Sequence, residues 1–404
     1  MSRREKTAVI GGGMSGMAAA ILLAECGRQA EIFERQERIG KKILLTGNGR
    51  CNLSNTEIDT AFYRCDDEGQ LSRILSFCDG DKEQAFWERL GLKLRAQRGC
   101  LYPVTNQAST VLDCLRFRLE ELRIPVHTEA ECIKISGQKG AFTVQYRSAE
   151  NAAAKAGAFD NVFLCCGGRA GVYREEEHNG YTLAKALGHT VKKGHPALVP
   201  VRCAEDMKAV AGVRVQADVS LWQAGTYLAS DEGELQLTKE GISGIPVFQL
   251  SRYADDLNHS VFRVDFLPFL KQESLARILR ERMDRMPGRS LEQFFAGWLQ
   301  KKLCLYLLKR AGLKAEQTIG DMPLDRLKGI VAGMKACPFT PMSLGNYRQA
   351  QVSTGGIPLP EVSDHLESRK CPGIHIAGEM LDVTGACGGY NLHFALACAH
   401  AMTE

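Results

Sequence analysis

The stretch KTAVIGGGMSGMAAAILLAECG, residues 6–27, decides the fold of this chain. The apolar run that ends at Ile10 predicts a strand, the glycines after it predict a tight turn, and the small and aliphatic residues from Met17 to Leu23 predict a helix. A second predicted strand, QAEIFE, follows at residues 29–34. Strand, turn, helix and strand in this order are typical of a βαβ unit.

The glycines of this turn have the spacing of a dinucleotide-binding motif. Gly11, Gly13 and Gly16 match G-x-G-x-x-G, and Glu34 ends the following strand. Such glycines admit a diphosphate to the start of the helix, while the acidic residue accepts hydrogen bonds from a ribose hydroxyl and disfavours a 2′-phosphate. The alternative interpretation is an ordinary tight turn with a surface glutamate.

A second unusual stretch, KKILLTGNGRCNLSN at residues 41–55, combines glycines with basic side chains. One helix start neutralises only part of the charge of a diphosphate. We expect Lys42, the Gly47–Gly49 backbone and Arg50 to neutralise the remainder. Alternatively, the stretch is a solvent loop, in which Thr46 and Asn52 are turn-forming residues.

The C-terminal part returns to a strand, a glycine-rich loop and a helix. HIAGE ends at Glu379, and GGYN begins a predicted helix near Gly389. This arrangement suits a flavin, with Glu379 near the ribityl chain or the phosphate and the helix amides facing the ring edge that becomes negative on reduction. The alternative is a pair of glycines that only caps the structure.

Composition excludes several classes of function. The chain has 404 residues and a formal net charge of +4, and we see no basic stripe, so we expect no nucleic-acid partner and no membrane partner. Because the N-terminal apolar run ends in glycines and shows no cleavage pattern, we expect a cytoplasmic protein whose 15 cysteines are reduced and largely buried. No His and Cys spacing indicates a metal site.

The middle of the chain differs in texture from its two ends. From about Pro196, short alternating stretches predict an antiparallel β module, followed by helices at about Glu273–Met286, Leu291–Ala311 and Leu324–Lys335. The Ala-rich segment at residues 148–160, between two predicted strands, is interpreted as a hairpin loop.

These stretches together resemble the BaiN-like flavoproteins, also called the aminoacetone-oxidase family of FAD enzymes. The matching segments include VIGGGMSGMAAA, GKKILLTGNGRCNLSN, GISG, QVSTGGI and AGEMLDVTGACGGYN, and they extend from residue 8 to residue 391. The resemblance implies an α/β fold: a glutathione-reductase-type Rossmann FAD domain in two segments, residues 1–192 and 347–404. It also implies an inserted antiparallel β-barrel-like domain with a helical subdomain, residues 193–346, that serves the substrate.

The resemblance also implies a non-covalent FAD site. Carried over position by position, the residues expected to meet the cofactor are Gly11, Gly13, Met14, Ser15, Gly16, Glu34, Arg35, Lys42, Thr46, Gly47, Arg50, Cys51, Asn52, Cys132, Gly167, Gly378, Glu379, Gly389, Tyr390 and Asn391. The absence of a second glycine motif argues against a separate nicotinamide domain, so NAD(P)H is expected only as a transient electron donor.

One departure from the family concerns catalysis. Relatives often carry Thr-His before the Gly-Ile-Ser-Gly turn, whereas this chain has Lys239 there. Lys239, Tyr390 and His393 are therefore the candidate proton-transfer residues, each against the alternative of an ordinary surface or core residue. Cys387 has no neighbouring cysteine, which argues against a dithiol relay.

The sequence leaves three functions open. The first is an NAD(P)H-supported reductase of small, mostly apolar enones, such as 3-oxo bile-acid or steroid-like compounds, as the resemblance implies. The second is a small-amine oxidase of the aminoacetone type that uses oxygen, and the third is a flavin redox sensor without enzymatic activity. Oligomeric state is not indicated by any pattern in the chain.

Overall fold

The computed structural model describes residues 4–148, 154–171 and 179–404. The chain divides into two compact units, the first comprising Met1–Pro196 and Tyr347–Glu404 and the second comprising Ala197–Asn346. The helices are α1 (Met14–Glu25), α2 (Glu68–Ser76), α3 (Gly80–Arg89), α4 (Ala108–Glu121), α5 (Asn179–Ala186), α6 (Ile245–Ser251), α7 (Gln272–Arg285), α8 (Leu291–Phe295), α9 (Lys301–Arg310), α10 (Leu324–Lys335) and α11 (Tyr390–Thr403).

The strands are short and numerous. They are β1 (Lys6–Ile10), β2 (Gln29–Phe33), β3 (Ser54–Asn55), β4 (Tyr63–Arg64), β5 (Leu94–Gln97), β6 (Cys100–Pro103), β7 (Val126–His127), β8 (Glu131–Ser136), β9 (Phe142–Arg147), β10 (Ala154–Phe159), β11 (Asn161–Leu164), β12 (Pro196–Ala197), β13 (Val201–Cys203), β14 (Arg214–Gln223), β15 (Thr226–Leu237), β16 (Gly241–Gly244), β17 (Ser260–Asp265), β18 (Cys337–Phe339), β19 (Pro341–Leu344), β20 (Val352–Ser353), β21 (Ile374–Ile376) and β22 (Thr384–Gly385).

A five-stranded parallel sheet forms the centre of the first unit, in the order β21-β11-β1-β2-β7. This confirms the predicted βαβ unit and the Rossmann-type α/β fold. The central strand is apolar because both of its faces are covered, and Ala8 and Val9 are fully buried. The C-terminal strand β21 joins the same sheet as β1, so both ends of the chain contribute to it.

Helix α1 is buried on every side from Met14 to Leu23. Its three consecutive alanines, Ala18–Ala20, are fully buried, and the helix packs against α11, which is also rich in small residues. A helix that is apolar all round belongs in a core, and small side chains let two such helices approach closely. This contact fixes the two helix starts that matter for the site.

A three-stranded antiparallel sheet, β10-β9-β8, corrects one prediction. The Ala-rich segment is not a hairpin loop throughout, because Ala154–Phe159 pairs with β9, with Ala156 opposite Val144. Alanine is a poor strand former by itself, but pairing with an existing edge overrides the weak local preference. The rest of that prediction, at residues 149–153, lies outside the described residues.

The second unit contains a seven-stranded antiparallel sheet in the order β18-β17-β14-β15-β16-β13-β19. Its two outer strands are consecutive in sequence, separated only by Thr340. The predicted helix at Leu324–Lys335 is confirmed. The helix predicted at Leu291–Ala311 is interrupted, because it ends at Phe295 and a new helix begins at Lys301.

Candidate functional site

The glycine turn after β1 uses each glycine for a different reason. Gly11 has a φ of +111°, and a β-carbon there would lie 2.3 Å from the carbonyl oxygen of Cys165. A β-carbon on Gly16 would lie 2.0 Å from the carbonyl oxygen of Gly11, so this glycine lets α1 pack against the turn. Gly13 has no atom within 4 Å of its would-be β-carbon. Open space therefore lies in front of the helix start.

The start of α1 leaves backbone donors available. Gly13 caps the helix without a side-chain hydrogen bond, and the first intrahelical bond runs from the Met17 amide to the Gly13 carbonyl at 3.0 Å. The amides of Met14, Ser15 and Gly16 precede this first bond, as they do at any helix start. Backbone donors, the helix dipole and open space together fit a diphosphate.

Glu34 is held at the edge of this turn. One carboxylate oxygen accepts from the Gly12 amide at 2.7 Å, and the other accepts from the Gln36 amide at 2.8 Å. A cleft opens beside it, lined by Ile10, Gly11, Phe33, Glu34, Arg35, Ala130, Cys132, Cys166 and Gly180. The structure thus places four of the residues predicted to meet FAD, namely Gly11, Glu34, Arg35 and Cys132, around one cleft. Gly167, whose φ is +73°, does not line this cleft.

The stretch at residues 41–55 is a loop with several left-handed residues. Gly47, Asn48, Gly49 and Cys51 all have φ between +54° and +83°. Non-glycine residues in this region are strained, and such strain concentrates at functional sites. The Cys51 thiol is fully buried, which raises its pKa to about 11.

Thr46 and Arg50 have different roles in this loop. Thr46 donates from its hydroxyl to the Ile43 carbonyl at 2.6 Å and accepts from the Cys51 amide at 3.1 Å, so it closes the loop as a turn-forming residue. The guanidinium of Arg50 lies exposed over the Tyr102 ring, 5.3 Å from its centroid. An exposed guanidinium beside a glycine-rich backbone is suited to binding an anion.

Lys42 and Glu379 form an ion pair of 2.5 Å. The other carboxylate oxygen of Glu379 accepts from the Ser353 amide at 2.9 Å and from its hydroxyl at 3.1 Å. Gly168 leaves the room that this carboxylate fills, because a β-carbon there would lie 2.3 Å from it. We predicted separate cofactor contacts for Lys42 and Glu379, whereas in the structure they contact each other.

The loop at residues 41–55 meets the start of α11. With the Asn52 amide oriented to satisfy both of its partners, its oxygen accepts from the Gly389 amide at 3.2 Å. Asn55 donates to the Gly388 carbonyl at 3.1 Å. Gly389 has a φ of +96°, and a β-carbon there would lie 2.4 Å from the carbonyl oxygen of Ser54. The two most distinctive sequence motifs are therefore in direct contact.

The side chains of Asn391 and Tyr390 contact other residues of the protein. The Asn391 side chain accepts from the Gly385 amide at 2.8 Å and donates to the Gly385 carbonyl at 3.0 Å. Tyr390 is 4% exposed and stacks on Phe62 with ring centroids 4.6 Å apart. Burial raises the pKa of Tyr390 to about 12, so its phenol stays protonated at neutral pH. Their side chains therefore shape the loop around the start of α11.

The other candidate side chains are dispersed. His393 is 1% exposed, one turn inside α11, with Ser54 and Glu83 as partners. Lys239 is exposed in the turn between β15 and β16 of the second unit.

Gly378 has a φ of +64° and lies against Ser15, so the C-terminal motif reaches the start of α1.

Three residues of the site were missed by sequence reasoning. Gly12 and Ser353 hold the two acidic residues, and Gly168 leaves room for one of them. A signal existed for Ser353, because it lies in the family-like stretch QVSTGGI. Nothing local marked its partner, which is 26 residues further along the chain.

Other site classes are not seen in the parts of the chain that the structure describes. No group of three or more His, Cys, Asp or Glu side chains could hold a metal ion there. The 15 cysteines are all free thiols, and eight of them are buried. Within the described ranges, no helix has the length and apolar character needed to cross a membrane.

The residues at the two helix starts fit FAD. A dinucleotide needs diphosphate donors, a ribose acceptor and a helix start for the flavin ring. The open space at Gly13, the Glu34 carboxylate beside its cleft and the start of α11 at Gly389 supply these features within the first unit.

Comparison with known proteins gives a consistent family. Residues 5–404 match the HI0933-like protein Rossmann domain. The chain is 36% identical over 402 residues to 3-dehydro-bile acid delta(4,6)-reductase of Clostridium scindens, covering 97% of this chain and 96% of that protein. It is 25% identical over 417 residues to ribosomal RNA dihydrouridine synthase of Haemophilus influenzae, covering 99% and 98%. Among solved structures, 3-ketosteroid-delta4-(5alpha)-dehydrogenase of Rhodococcus jostii RHA1 aligns at 14% identity with a TM-score of 0.49, covering 100% and 97%.

Proposed function

The chain belongs to the HI0933-like Rossmann family of flavoprotein oxidoreductases, and we propose that it reduces carbon–carbon double bonds conjugated to a carbonyl group. Small, mostly apolar enones such as 3-oxo bile acids or related steroids are the proposed substrates. The observation that carries this proposal is the 36% identity, over nearly the whole length of both chains, to a reductase of a 3-dehydro bile acid.

Each part of the proposed FAD site has a role that follows from its chemistry. The amides at the start of α1 would bind the diphosphate, helped by Arg50, and Glu34 would accept from the ribose hydroxyls. The start of α11 would face the flavin ring and favour negative charge there. Bound FAD supplies hydride transfer, and the protein positions it and tunes its electrostatics.

The ribosomal RNA dihydrouridine synthase, which is 25% identical to this chain, supports the same bond chemistry with a different substrate. Dihydrouridine is uridine whose ring double bond, conjugated to a carbonyl, has been saturated, and the delta(4,6)-reductase is named for double bonds in a 3-dehydro compound. Both names therefore describe products of conjugated double-bond reduction. This favours a reductase over an amine oxidase or a redox sensor, and it makes uridine in ribosomal RNA the second candidate substrate.

The finer features of the proposal concern the insert and the electron donor. We propose that the second unit is a β-barrel-like substrate domain. Strands β18 and β19 are separated by one residue in sequence, yet β18 pairs with β17 at one edge of the sheet and β19 pairs with β13 at the other edge. The FAD domain would then comprise both chain ends. NAD(P)H would reduce the flavin by transient docking. For the enone reductase, which is the first candidate, we propose a cytoplasmic enzyme with a small-molecule substrate and no nucleic-acid or membrane partner.

Anaerobic reduction of the purified yellow protein tests the proposal. We expect NAD(P)H to bleach the flavin absorbance and a 3-oxo-4,6-diene bile acid to restore it. Recovery with a uridine-containing ribosomal RNA fragment, and not with the enone, would support the second candidate. Peroxide production with aminoacetone in air would support the oxidase. A protein that binds FAD but is reoxidised by none of these substrates would contradict the reductase proposal.

A further inference from the structure

A buried polar cluster lies one turn inside α11, directly behind the proposed flavin-facing helix start. His393 Nδ1 is 3.0 Å from the Ser54 hydroxyl and 3.1 Å from a carboxylate oxygen of Glu83. All three residues are at most 2% exposed. A carboxylate oxygen can only accept, so the contact with Glu83 assigns a proton to Nδ1.

This cluster is only partly satisfied. Glu83 Oε1 and His393 Nε2 are buried, and each lacks a hydrogen-bond partner among the described residues. Partly satisfied buried charges are costly, and replacing such a pair with apolar residues often stabilises a protein. A contribution to the free energy of unfolding therefore does not explain why this cluster is present.

A second His–Glu pair in the same unit, with a buried histidine and a half-buried glutamate, provides the contrast. His189 is 2.8 Å from Glu361 through Nδ1 and 2.7 Å from the Ser368 hydroxyl through Nε2, so both ring nitrogens have partners. Glu361 also accepts from Lys370 and from the Thr190 amide. This pair has the satisfied arrangement expected of a structural contact.

The incomplete cluster contacts the cofactor loop through Ser54. The backbone of Ser54 closely approaches Gly389, the residue that begins α11, and a β-carbon on Gly389 would lie 2.4 Å from the Ser54 carbonyl oxygen. The neighbouring residues Asn52 and Asn55 hydrogen-bond to Gly389 and Gly388. A shift of His393 or Glu83 would therefore move Ser54 and the helix start together.

We propose that Glu83, His393 and Ser54 are positioning residues that hold the start of α11 for the flavin and set the charge behind it. The proposal rests on the proposed flavin function. The Glu83 carboxylate opposes the positive end of the helix dipole, and therefore disfavours the extra negative charge of reduced flavin. His393 fixes the position of this carboxylate relative to Ser54.

The test compares Glu83→Gln and Ser54→Ala with the control Glu361→Gln, using FAD affinity, flavin midpoint potential and melting temperature. We expect both cluster variants to bind FAD at least about threefold more weakly. Glu83→Gln should also shift the potential to more positive values. Glu361→Gln should lower the melting temperature without changing either flavin property. Ser54→Ala, which removes one hydroxyl, still tests the affinity if Glu83→Gln does not fold.

The outcomes separate this inference from the function on which it rests. A folded wild-type protein that does not bind FAD would overturn both. If the wild type binds FAD and reduces an enone, unchanged affinity in both cluster variants, with an unchanged potential in Glu83→Gln, would overturn only the positioning role. Equal changes in Glu361→Gln would do the same, because they would show a general effect of reduced stability.

Discussion

Substitution by alanine at two glycines of the same motif should affect two different properties, the stability of the fold and the binding of FAD. In Gly16→Ala, the new β-carbon would lie 2.0 Å from the Gly11 carbonyl oxygen and 3.2 Å from a Val9 methyl group. Because the first contact is with backbone, α1 must move away from the turn. Such overpacking costs about 3 kcal/mol, the upper end of its usual range. A loss of this size in a unit of this length lowers the melting temperature by roughly 6 °C.

Gly13→Ala should leave the fold intact and impair the cofactor site. Gly13 has an ordinary φ of −84°, and no atom lies within 4 Å of its would-be β-carbon. The methyl group would occupy the space that we assign to the diphosphate. We expect FAD to bind at least about tenfold more weakly, equivalent to about 1.4 kcal/mol, with an unchanged melting temperature of the FAD-free protein.

Differential scanning fluorimetry of the FAD-free variants and fluorescence titration with FAD measure the two properties separately. Wild-type FAD affinity in Gly13→Ala would refute the placement of the diphosphate at the start of α1. We expect the melting temperature of Gly16→Ala to fall by roughly 6 °C. A fall of less than about 1 °C would refute the packing argument.

Three further changes test other parts of the structure. Although burial opposes it, hydrogen bonds from Lys370, Thr190 and His189 lower the pKa of Glu361 to about 2. The resulting stability is present above the usual glutamate pKa and is lost as pH falls towards 2. After allowance for solvent screening, Glu361→Gln should lower the free energy of unfolding by about 1–2 kcal/mol at pH 7. In acid denaturation curves, the difference in stability between this variant and the wild type should become smaller as the pH falls. Burial, with Asp265 and Glu232 directly opposite on neighbouring strands, raises the pKa of Asp218, so Asp218→Asn should stabilise the second unit by about 0.5 kcal/mol in urea unfolding. Glu34→Ala should lower FAD retention about tenfold, measured as flavin absorbance after gel filtration. Full retention would contradict the ribose assignment.

Sequence patterns predicted the elements whose conformation depends on residues close together in the chain. The spacing of Gly11, Gly13 and Gly16 between an apolar strand and an apolar helix predicts the turn, because each requirement concerns residues close in sequence. The helix at Leu324–Lys335 was predicted for the same reason. The strand at Ala154–Phe159 was missed because its pairing with β9, and not its composition, determines its conformation.

The partners within the site could not be predicted from local patterns. Lys42 and Glu379 are 337 residues apart in the chain, and His393 and Glu83 are 310 apart. Family resemblance pointed to the stretches that contain these residues, but it did not show that Lys42 and Glu379 contact each other. The charge of Lys42, and the position of Glu379 between a strand and a helix start, suggested that both would face the cofactor. The packing of α1 against α11 and the pairing of β21 with β11 in the parallel sheet bring the two ends of the chain together.

The ion pair of Lys42 changes how the positive charge of the site should be assigned. Its charge is already balanced by Glu379, which Ser353 holds from the other side with two hydrogen bonds. Arg50 has no carboxylate partner among the described residues, and its guanidinium lies exposed over an aromatic ring. Binding a diphosphate at Arg50 therefore breaks no existing ion pair, whereas binding it at Lys42 would compete with Glu379. We therefore expect Arg50 and the amides of α1 to provide the positive charge for the diphosphate, while the ion pair of Lys42 with Glu379 joins the loop at residues 41–55 to the segment that follows β21.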